Sequence, residues 1–225
     1  MPTAAVLPIK RFEEAKRRLA PALSIERRRL LAEAMVSDVL EALIRCAGVE
    51  HVLVVTVDPR ARELALAAGA EAVSDPRAPG HNPAAAQGVR RALEAGARRV
   101  LLVPGDCPAL RPADIDELLA AAPADAPSVV CVPDRHGTGT NALLLAPPAV
   151  IESSFGPGSF DRHRDAARAV GAAWVVRRPW PLLHDVDTAA DLEALGAALA
   201  EDPAVAPRTR GLLAGHAPSP SRVGS

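Results

Sequence analysis

Short apolar runs alternate along this chain with longer segments in which apolar residues recur at every third or fourth position. The run HVLVVTV at 51–57 is rich in β-branched residues, which is typical of a strand buried on both faces of a sheet. After Ser24, a plausible N-cap, Leu31, Met35 and Val39 recur at helical spacing and predict a long helix. Further strands are predicted at 4–9, 71–75, 98–104, 128–133, 140–147 and 173–179, and further helices at 59–70, 82–97, 112–122, 159–172 and 188–200.

This alternation of strands and helices predicts an α/β fold, a three-layer sandwich whose mostly parallel sheet is covered by helices on both faces. One domain is expected over residues 1–202, because the length suits a single α/β domain. From residue 203 the sequence becomes rich in Pro, Gly and Ser, so 203–225 is predicted to be a mobile tail. Thr188 and Asp191 have the spacing of a capping box at the start of the last predicted helix.

The composition then narrows the classes of function. Of the 225 residues 49% are hydrophobic and 24% charged, which is enough apolar material for a sizeable core. The formal net charge is −1 and Tyr is absent, so nucleic-acid binding is disfavoured. Three cysteines without CxxC spacing indicate neither a disulfide framework nor a zinc site. Without a signal peptide or an apolar run of the ~20 residues that span a bilayer, the chain is expected to be cytoplasmic, with no membrane partner.

Acidic residues follow two of the predicted strands. Ligands of parallel sheets bind beyond the carboxyl ends of the strands, and Asp106 lies at that point, in PGDCPAL. Asp185 and Asp187 flank Val186 in an extended segment, so their side chains share one face. Three hard oxygen donors suit Mg²⁺, which predicts a metal site made of these carboxylates. The alternative is that each Asp caps the helix that follows it.

Basic and glycine-rich segments accompany the acidic ones. IKRFEEAKRRL places Lys10, Lys16 and Arg18 near the same edge, where they could bind a triphosphate or form a solvated helix face. The segments DRHGTGTNAL and FGPGSFDRH could form an anion site at a helix N-terminus, although Ser159 could be an ordinary N-cap. Asn82 could contact the nucleotide or cap its own helix. Cys107 is interpreted as a small buried hydrophobe, since no base follows it at a recognisable spacing.

Five motifs, in this order along about residues 4–195, carry a resemblance: VLPIKRFEEAKRRL, PGDCPAL, DRHGTGTNALLL, FGPGSF and HDVDTAADL. The chain resembles the guanylyltransferase family of deazaflavin coenzyme F(420) biosynthesis. This resemblance implies the nucleotidyltransferase fold of the glycosyltransferase-A type. It also implies transfer of GMP from GTP to phosphoenolpyruvate, which gives enolpyruvyl-diphospho-guanosine and pyrophosphate. The acceptor in related members is 2-phospho-L-lactate, and 3-phosphoglycerate is a further alternative.

The resemblance also implies roles for individual residues. The acceptor should bind at Thr140, Gly156 and Ser159. Asp106 and Lys16 should be catalytic, with Mg²⁺ on Asp106, Asp185 and Asp187. Lys10, Lys16, Arg18 and Asn82 are the expected nucleotide-binding residues.

The implied partners are GTP and a phosphorylated three-carbon acid, with a possible homodimer and transfer of the product to the deazaflavin transferase of the pathway. Two other functions stay open on the sequence alone. A metal-dependent glycosyltransferase of the same fold would use the DVD segment as its Asp-x-Asp motif, but it leaves the FGPGSF anion site unexplained. A non-catalytic GTP-binding module would keep the fold without turnover.

Overall fold

The computed structural model describes residues 1–74 and 80–214. Its sheet has seven strands in the order β3-β2-β1-β4-β6-β5-β7. The strands are β1 Thr3–Ile9, β2 His51–Thr56, β3 Glu71–Val73, β4 Arg99–Leu102, β5 Ser128–Pro133, β6 Thr140–Ala146 and β7 Ala173–Val176. The helices are α1 Ile25–Arg45, α2 Pro59–Ala67, α3 His81–Glu94, α4 Pro112–Ala120, α5 Ser159–Ala169, α6 Trp180–Leu183, α7 Ala189–Glu201 and α8 Pro207–Ala214, with 3-10 turns at Phe12–Glu14 and Arg17–Leu19.

The sheet is mostly parallel, as predicted, and β6 is the strand that departs from this pattern. It runs antiparallel to both of its neighbours, β4 and β5. The start of β6 therefore lies at the edge where the parallel strands have their carboxyl ends, and Leu143 pairs with Leu102 near the end of β4. The hairpin that joins β5 to β6 consequently brings residues 134–141 to the same edge as Asp106.

Successive residues of the central strands point to opposite faces of the sheet, and both faces are buried. Leu7 of β1 packs in a cluster with residues of α1, α2 and α4, including Leu43 and Ile115. Val6 packs in a second cluster on the other face, which includes Ala85 of α3 and Ala167 of α5. This period-2 alternation on a fully buried strand produces the predicted three layers.

Two helix caps that the sequence predicts, at Ser24 and at Thr188, are present in the structure. The Ser24 hydroxyl accepts a hydrogen bond from the Arg27 N–H at the start of α1. Thr188 and Asp191 form the reciprocal capping box of α7, with the Thr188 N–H donating to Asp191 at 2.7 Å. Among the helices that the structure describes, none is long and apolar enough to cross a membrane.

The predicted mobile tail is the main difference between sequence and structure. Residues Pro207–Ala214 form α8, which packs on α1 through an apolar cluster that includes Met35. The buried Asp38 carboxylate of α1 accepts hydrogen bonds from the Arg208 and Thr209 N–H groups, and this negative charge stabilises the N-terminus of α8. The structure therefore contains a helix, α8, that the sequence analysis did not predict. Residues 215–225, and Asp75 of the predicted third strand, lie outside the described residues.

Candidate active site

The turn after β4 fixes Asp106 at the edge of the sheet. A Cβ atom on Gly105 would lie 2.5 Å from Ile9 Cδ1 and 3.0 Å from Val36 Cγ2, so a larger residue here would have to displace these side chains from the turn. The Asp106 carbonyl accepts a hydrogen bond from the Val186 N–H at 3.2 Å. This bond joins the turn to the segment that carries Asp185 and Asp187, although the two are distant in sequence.

The three predicted carboxylates converge. Asp106, Asp185 and Asp187 each offer an oxygen, and these oxygens lie within 4.8 Å of one another. Burial raises the pKa of Asp185, and the charges of Asp106 and Asp187 raise it further. The Asn141 amide donates to Asp185 at 3.3 Å and opposes this effect. Three mutually repelling hard oxygen donors fit a divalent cation such as Mg²⁺.

The alternative of helix capping is excluded for these residues. The N-cap of α7 is Thr188, supported by Asp191, and the N-cap of α4 is Arg111, supported by Asp114. Asp106, Asp185 and Asp187, called the acidic cluster below, therefore do not cap α4 or α7.

Lys16 lies directly against the acidic cluster. Its Nζ is 2.5 Å from Asp106 Oδ2 and 3.1 Å from Asp187 Oδ1, and its side chain is only 7% exposed. Burial lowers the pKa of Lys16, but the charges of Asp106 and Asp187 outweigh it, so the pKa lies above its ordinary value. Lys16 also has φ 53° and ψ 40°, a strained left-handed conformation that places the ammonium between the two carboxylates.

Other cationic residues lie at the rim of this cluster. Arg18 is exposed, and its Nη1 is 3.5 Å from Asp187 Oδ2. A cavity of about 290 Å³ opens beside the cluster and is lined by Lys10, Lys16 and Asp106. A second cavity of about 320 Å³ lies at the ends of β1 and β2, where Lys10 and Gln87 line it. Lys10 borders both cavities, so one extended ligand could occupy them together.

A glycine-rich loop at 153–158 precedes α5 and contains Gly156, one of the three predicted acceptor-binding residues. Gly156 and Gly158 have φ values of 112° and 72°, which residues with a Cβ atom rarely adopt. The Asn82 amide accepts from the Phe155 N–H at 2.7 Å and donates to the Phe155 carbonyl at 3.2 Å. Asn82, predicted to bind the nucleotide, therefore holds this loop against α3 in the structure.

Thr140 and Ser159 lie on the α5 side of the sheet. Thr140 Oγ1 is 3.0 Å from Nδ1 of the buried His163, and it is half-buried itself. The Ser159 hydroxyl is buried and has no hydrogen-bond partner among the described residues. An unpaired buried hydroxyl costs about 1–3 kcal/mol, so Ser159 lacks the partner that a buried hydroxyl ordinarily has.

A β-bulge separates the two sides of the site. Val132 pairs with Ala142 but Pro133 pairs with Thr140, so Asn141 is the extra residue of β6. As a result Thr140 reaches α5, while the adjacent Asn141 donates to the Leu182 carbonyl at 2.7 Å and to Asp185. The bulge places Thr140, the predicted acceptor-binding residue, next to Asn141, which contacts the acidic cluster.

The sequence did not single out one further residue that borders the site. His81, the first residue of α3, lines both cavities and packs edge-on against Phe155, with ring centroids 4.9 Å apart. Burial lowers the pKa of His81, and the charge of Lys10 lowers it further. Asn141 belongs to the predicted DRHGTGTNAL segment, but its contact with Asp185 was not predicted. Its position in a Gly- and Thr-rich hairpin was visible, but its partners depend on the bulge.

Cys107 is buried, as predicted, and burial raises the pKa of its thiol. A nucleophilic thiolate at this position is therefore disfavoured.

An α/β sheet with clustered carboxylates at its carboxyl edge, beside cavities bordered by Lys and Arg, defines a nucleotide-dependent transferase. Comparison with known proteins gives the same class. The chain belongs to the family described as guanylyl transferase CofC like, whose sequence model matches residues 3–197.

Relatives agree with this membership, and a solved structure shares the fold. A phosphoenolpyruvate guanylyltransferase of Conexibacter woesei is 47% identical, with 95% of this chain and 96% of that protein covered. One of the same name from Sphaerobacter thermophilus is 41% identical, with 87% and 93% covered. The crystal structure of a candidate nucleotide-diphospho-sugar transferase from Desulfovibrio desulfuricans G20 has a TM-score of 0.75 at 18% identity, over 96% of this chain and 95% of that chain. That likeness confirms the predicted fold.

Proposed function

We propose that this protein transfers GMP from GTP to phosphoenolpyruvate and releases pyrophosphate, with Mg²⁺ as its cofactor. The observation that carries the proposal is the convergence of Asp106, Asp185, Asp187 and Lys16 beside a cavity at the edge of the sheet. Family membership and the names of the relatives support the guanylyl donor and the phosphoenolpyruvate acceptor. The product is enolpyruvyl-diphospho-guanosine.

The reaction forms a bond between an acceptor phosphate oxygen and the α-phosphorus of GTP, and breaks the bond from that phosphorus to the bridging oxygen of pyrophosphate. The acceptor phosphate is mostly doubly ionised at pH 7, because its second pKa is about 6, so no general base is required. The main barrier is the approach of one anion to another. Mg²⁺ held by the three carboxylates would supply positive charge at the α-phosphate.

The protein's own cations complete the charge balance. Lys16 and Lys10 line the cavity beside the cluster, where they can bind the phosphates and stabilise the departing pyrophosphate. Arg18, exposed at the rim, can contact the same group. The adjoining cavity at the ends of β1 and β2 is the place for the nucleoside, with the Gln87 side chain available for hydrogen bonds to it.

The acceptor pocket is formed by Thr140, Gly156 and Ser159. The unpaired Ser159 hydroxyl can donate to an oxygen of the acid, and Gly156 lets the loop backbone approach it closely. Asn82 acts on this pocket indirectly, since its amide holds Phe155. The same proposal places the reaction in coenzyme F(420) biosynthesis in the cytoplasm, with the product passed to the deazaflavin transferase. A homodimer is part of the proposal as well.

The test is a product assay. Wild-type protein with GTP, Mg²⁺ and phosphoenolpyruvate is expected to release pyrophosphate in equal amount to a guanylylated acid detected by mass spectrometry. Parallel reactions with 2-phospho-L-lactate and 3-phosphoglycerate, and with ATP in place of GTP, determine the acceptor and donor preferences. Absence of pyrophosphate with every phosphorylated acid would refute the transferase function and favour the GTP-binding module. Sugar transfer from a nucleotide-sugar would favour the glycosyltransferase.

Ser159→Ala should separate the acceptor from the nucleotide. Loss of a hydrogen bond to a charged phosphate costs about 1.5–3 kcal/mol, so the KM for phosphoenolpyruvate should rise about 10- to 150-fold. The KM for GTP should stay within about twofold. The free variant should be as stable as wild type or slightly more so, because the buried unpaired hydroxyl is gone. Steady-state kinetics measures the two KM values, and thermal unfolding measures the stability. An equal rise in the KM for GTP would show that the assignment of Ser159 to the acceptor is wrong.

A further inference from the structure

The buried His163 links the two halves of the acceptor pocket. It lies on α5 with no exposed surface. The Ser154 N–H in the glycine-rich loop donates to its Nε2 at 2.8 Å. Its Nδ1 is 3.0 Å from Thr140 Oγ1 on β6. One imidazole ring therefore contacts both the loop and the strand that carry the acceptor-binding groups.

These contacts determine the tautomer of the ring. A backbone N–H can only donate, so Nε2 must be the acceptor nitrogen of a neutral imidazole. The proton then resides on Nδ1, which donates to Thr140 Oγ1. Burial lowers the pKa of His163 to about 4, with a smaller contribution from the charge of Arg162, so the ring is neutral at physiological pH.

The polarity of this bond has a consequence for Thr140. Once its oxygen accepts the His163 proton, the Thr140 hydroxyl hydrogen is free to point elsewhere. Among the described residues, its other hydrogen-bond partner is Cys131 Sγ at 3.8 Å, and sulfur is a weak acceptor. A phosphate or carboxylate oxygen in the pocket would compete easily with it for this hydrogen.

We propose that His163 is a positioning residue that makes Thr140 a hydrogen-bond donor to the acceptor acid and holds the glycine-rich loop beside it. This inference rests on the proposed function, because it assumes that the acid binds next to Thr140. Without the ring, the Thr140 hydroxyl would be free to rotate, and Ser154 would lose the acceptor of its N–H. His163 itself does not touch the substrate.

A double-mutant cycle with Thr140→Val tests the positioning role. His163→Leu should raise the KM for phosphoenolpyruvate about 10- to 100-fold, with little change in the KM for GTP. His163→Asn should recover much of this loss, because its amide nitrogen can replace Nδ1 as donor. In the Thr140→Val background, His163→Leu and His163→Asn should have the same KM for phosphoenolpyruvate. The hydroxyl that Asn could bind is then absent, and neither side chain makes the contact to Ser154. His51→Asn, an exposed histidine at the start of β2, serves as the control that changes neither constant.

The outcomes are distinguishable. Two outcomes would overturn the inference alone, provided that the wild type releases pyrophosphate. One is an unchanged acceptor KM in His163→Leu, and the other is a difference in acceptor KM between Leu and Asn at position 163 that persists in Thr140→Val. No pyrophosphate from the wild type would overturn the proposed function and the inference with it. Long-range ¹H–¹⁵N NMR of the free protein, with the His163 signals identified by their loss in His163→Asn, should show a neutral ring protonated on Nδ1 at pH 7. A ring protonated on Nε2 or on both nitrogens would contradict the inference without any assay.

Discussion

Asp187→Asn and Asp106→Asn are each expected to reduce turnover by about 10³-fold or more while the fold is kept. A cation that neutralises charge in phosphoryl chemistry contributes several kcal/mol to the transition state, and each 1.36 kcal/mol is a factor of ten in rate. Both carboxylates are partly exposed and neither caps a described helix, so an amide of the same shape should preserve the packing. Pyrophosphate release measures the loss of turnover. Calorimetric titration with Mn²⁺ measures the loss of metal affinity that should accompany it.

The matched control for these variants is Asp125→Asn, an exposed carboxylate between α4 and β5, outside the acidic cluster. It should change neither the rate nor the affinity for Mn²⁺. Rates like those of the wild type in Asp106→Asn or Asp187→Asn would show that the cluster does not hold the catalytic metal. Lost Mn²⁺ binding with normal turnover would lead to the same conclusion.

The acidic cluster could be predicted from the sequence because its position follows from a general rule. Asp106 comes directly after a buried apolar strand, and strands of a parallel sheet end at one edge. The alternation Asp185-Val186-Asp187 fixed which two side chains share a face. The sequence pattern did not reveal the hydrogen bond from the Val186 N–H to the Asp106 carbonyl, which brings the two segments into contact.

The arrangement of the proposed acceptor-binding residues could not be predicted from the sequence. The resemblance to a family implies that Thr140, Gly156 and Ser159 bind the acceptor. Periodicity gave no indication that β6 is antiparallel, or that a bulge turns Thr140 and Asn141 to different partners. Such features depend on pairing between strands, which a single strand does not encode.

Helix α8 was missed for a similar reason. The composition of 203–225 is typical of a tail, and the residue that stabilises α8, Asp38, lies far away in α1. Its contribution is a tertiary contact that no local window contains.

Lys16→Met is expected to change catalysis and metal binding in opposite directions. In the free protein the Lys16 ammonium neutralises Asp106 and Asp187, the same oxygens that a divalent cation would use. Removal of this internal competitor should tighten Mn²⁺ binding to the free protein, and Mn²⁺ should raise the Tm of the variant more than that of the wild type. Turnover should fall about 10²-fold or more, because Lys16 is the cation proposed to stabilise the departing pyrophosphate.

Lys10→Met gives the matched comparison, since Lys10 lines the same cavity but is exposed and is not paired with Asp106 or Asp187 in the described structure. It should raise the KM for GTP and leave the affinity of the free protein for Mn²⁺ unchanged. Calorimetry of both variants with Mn²⁺, before any nucleotide is added, compares their metal affinities directly. If Lys16→Met binds Mn²⁺ no more tightly than Lys10→Met, then Lys16 and the metal do not share the carboxylates, and the cation must bind elsewhere along the edge of the sheet.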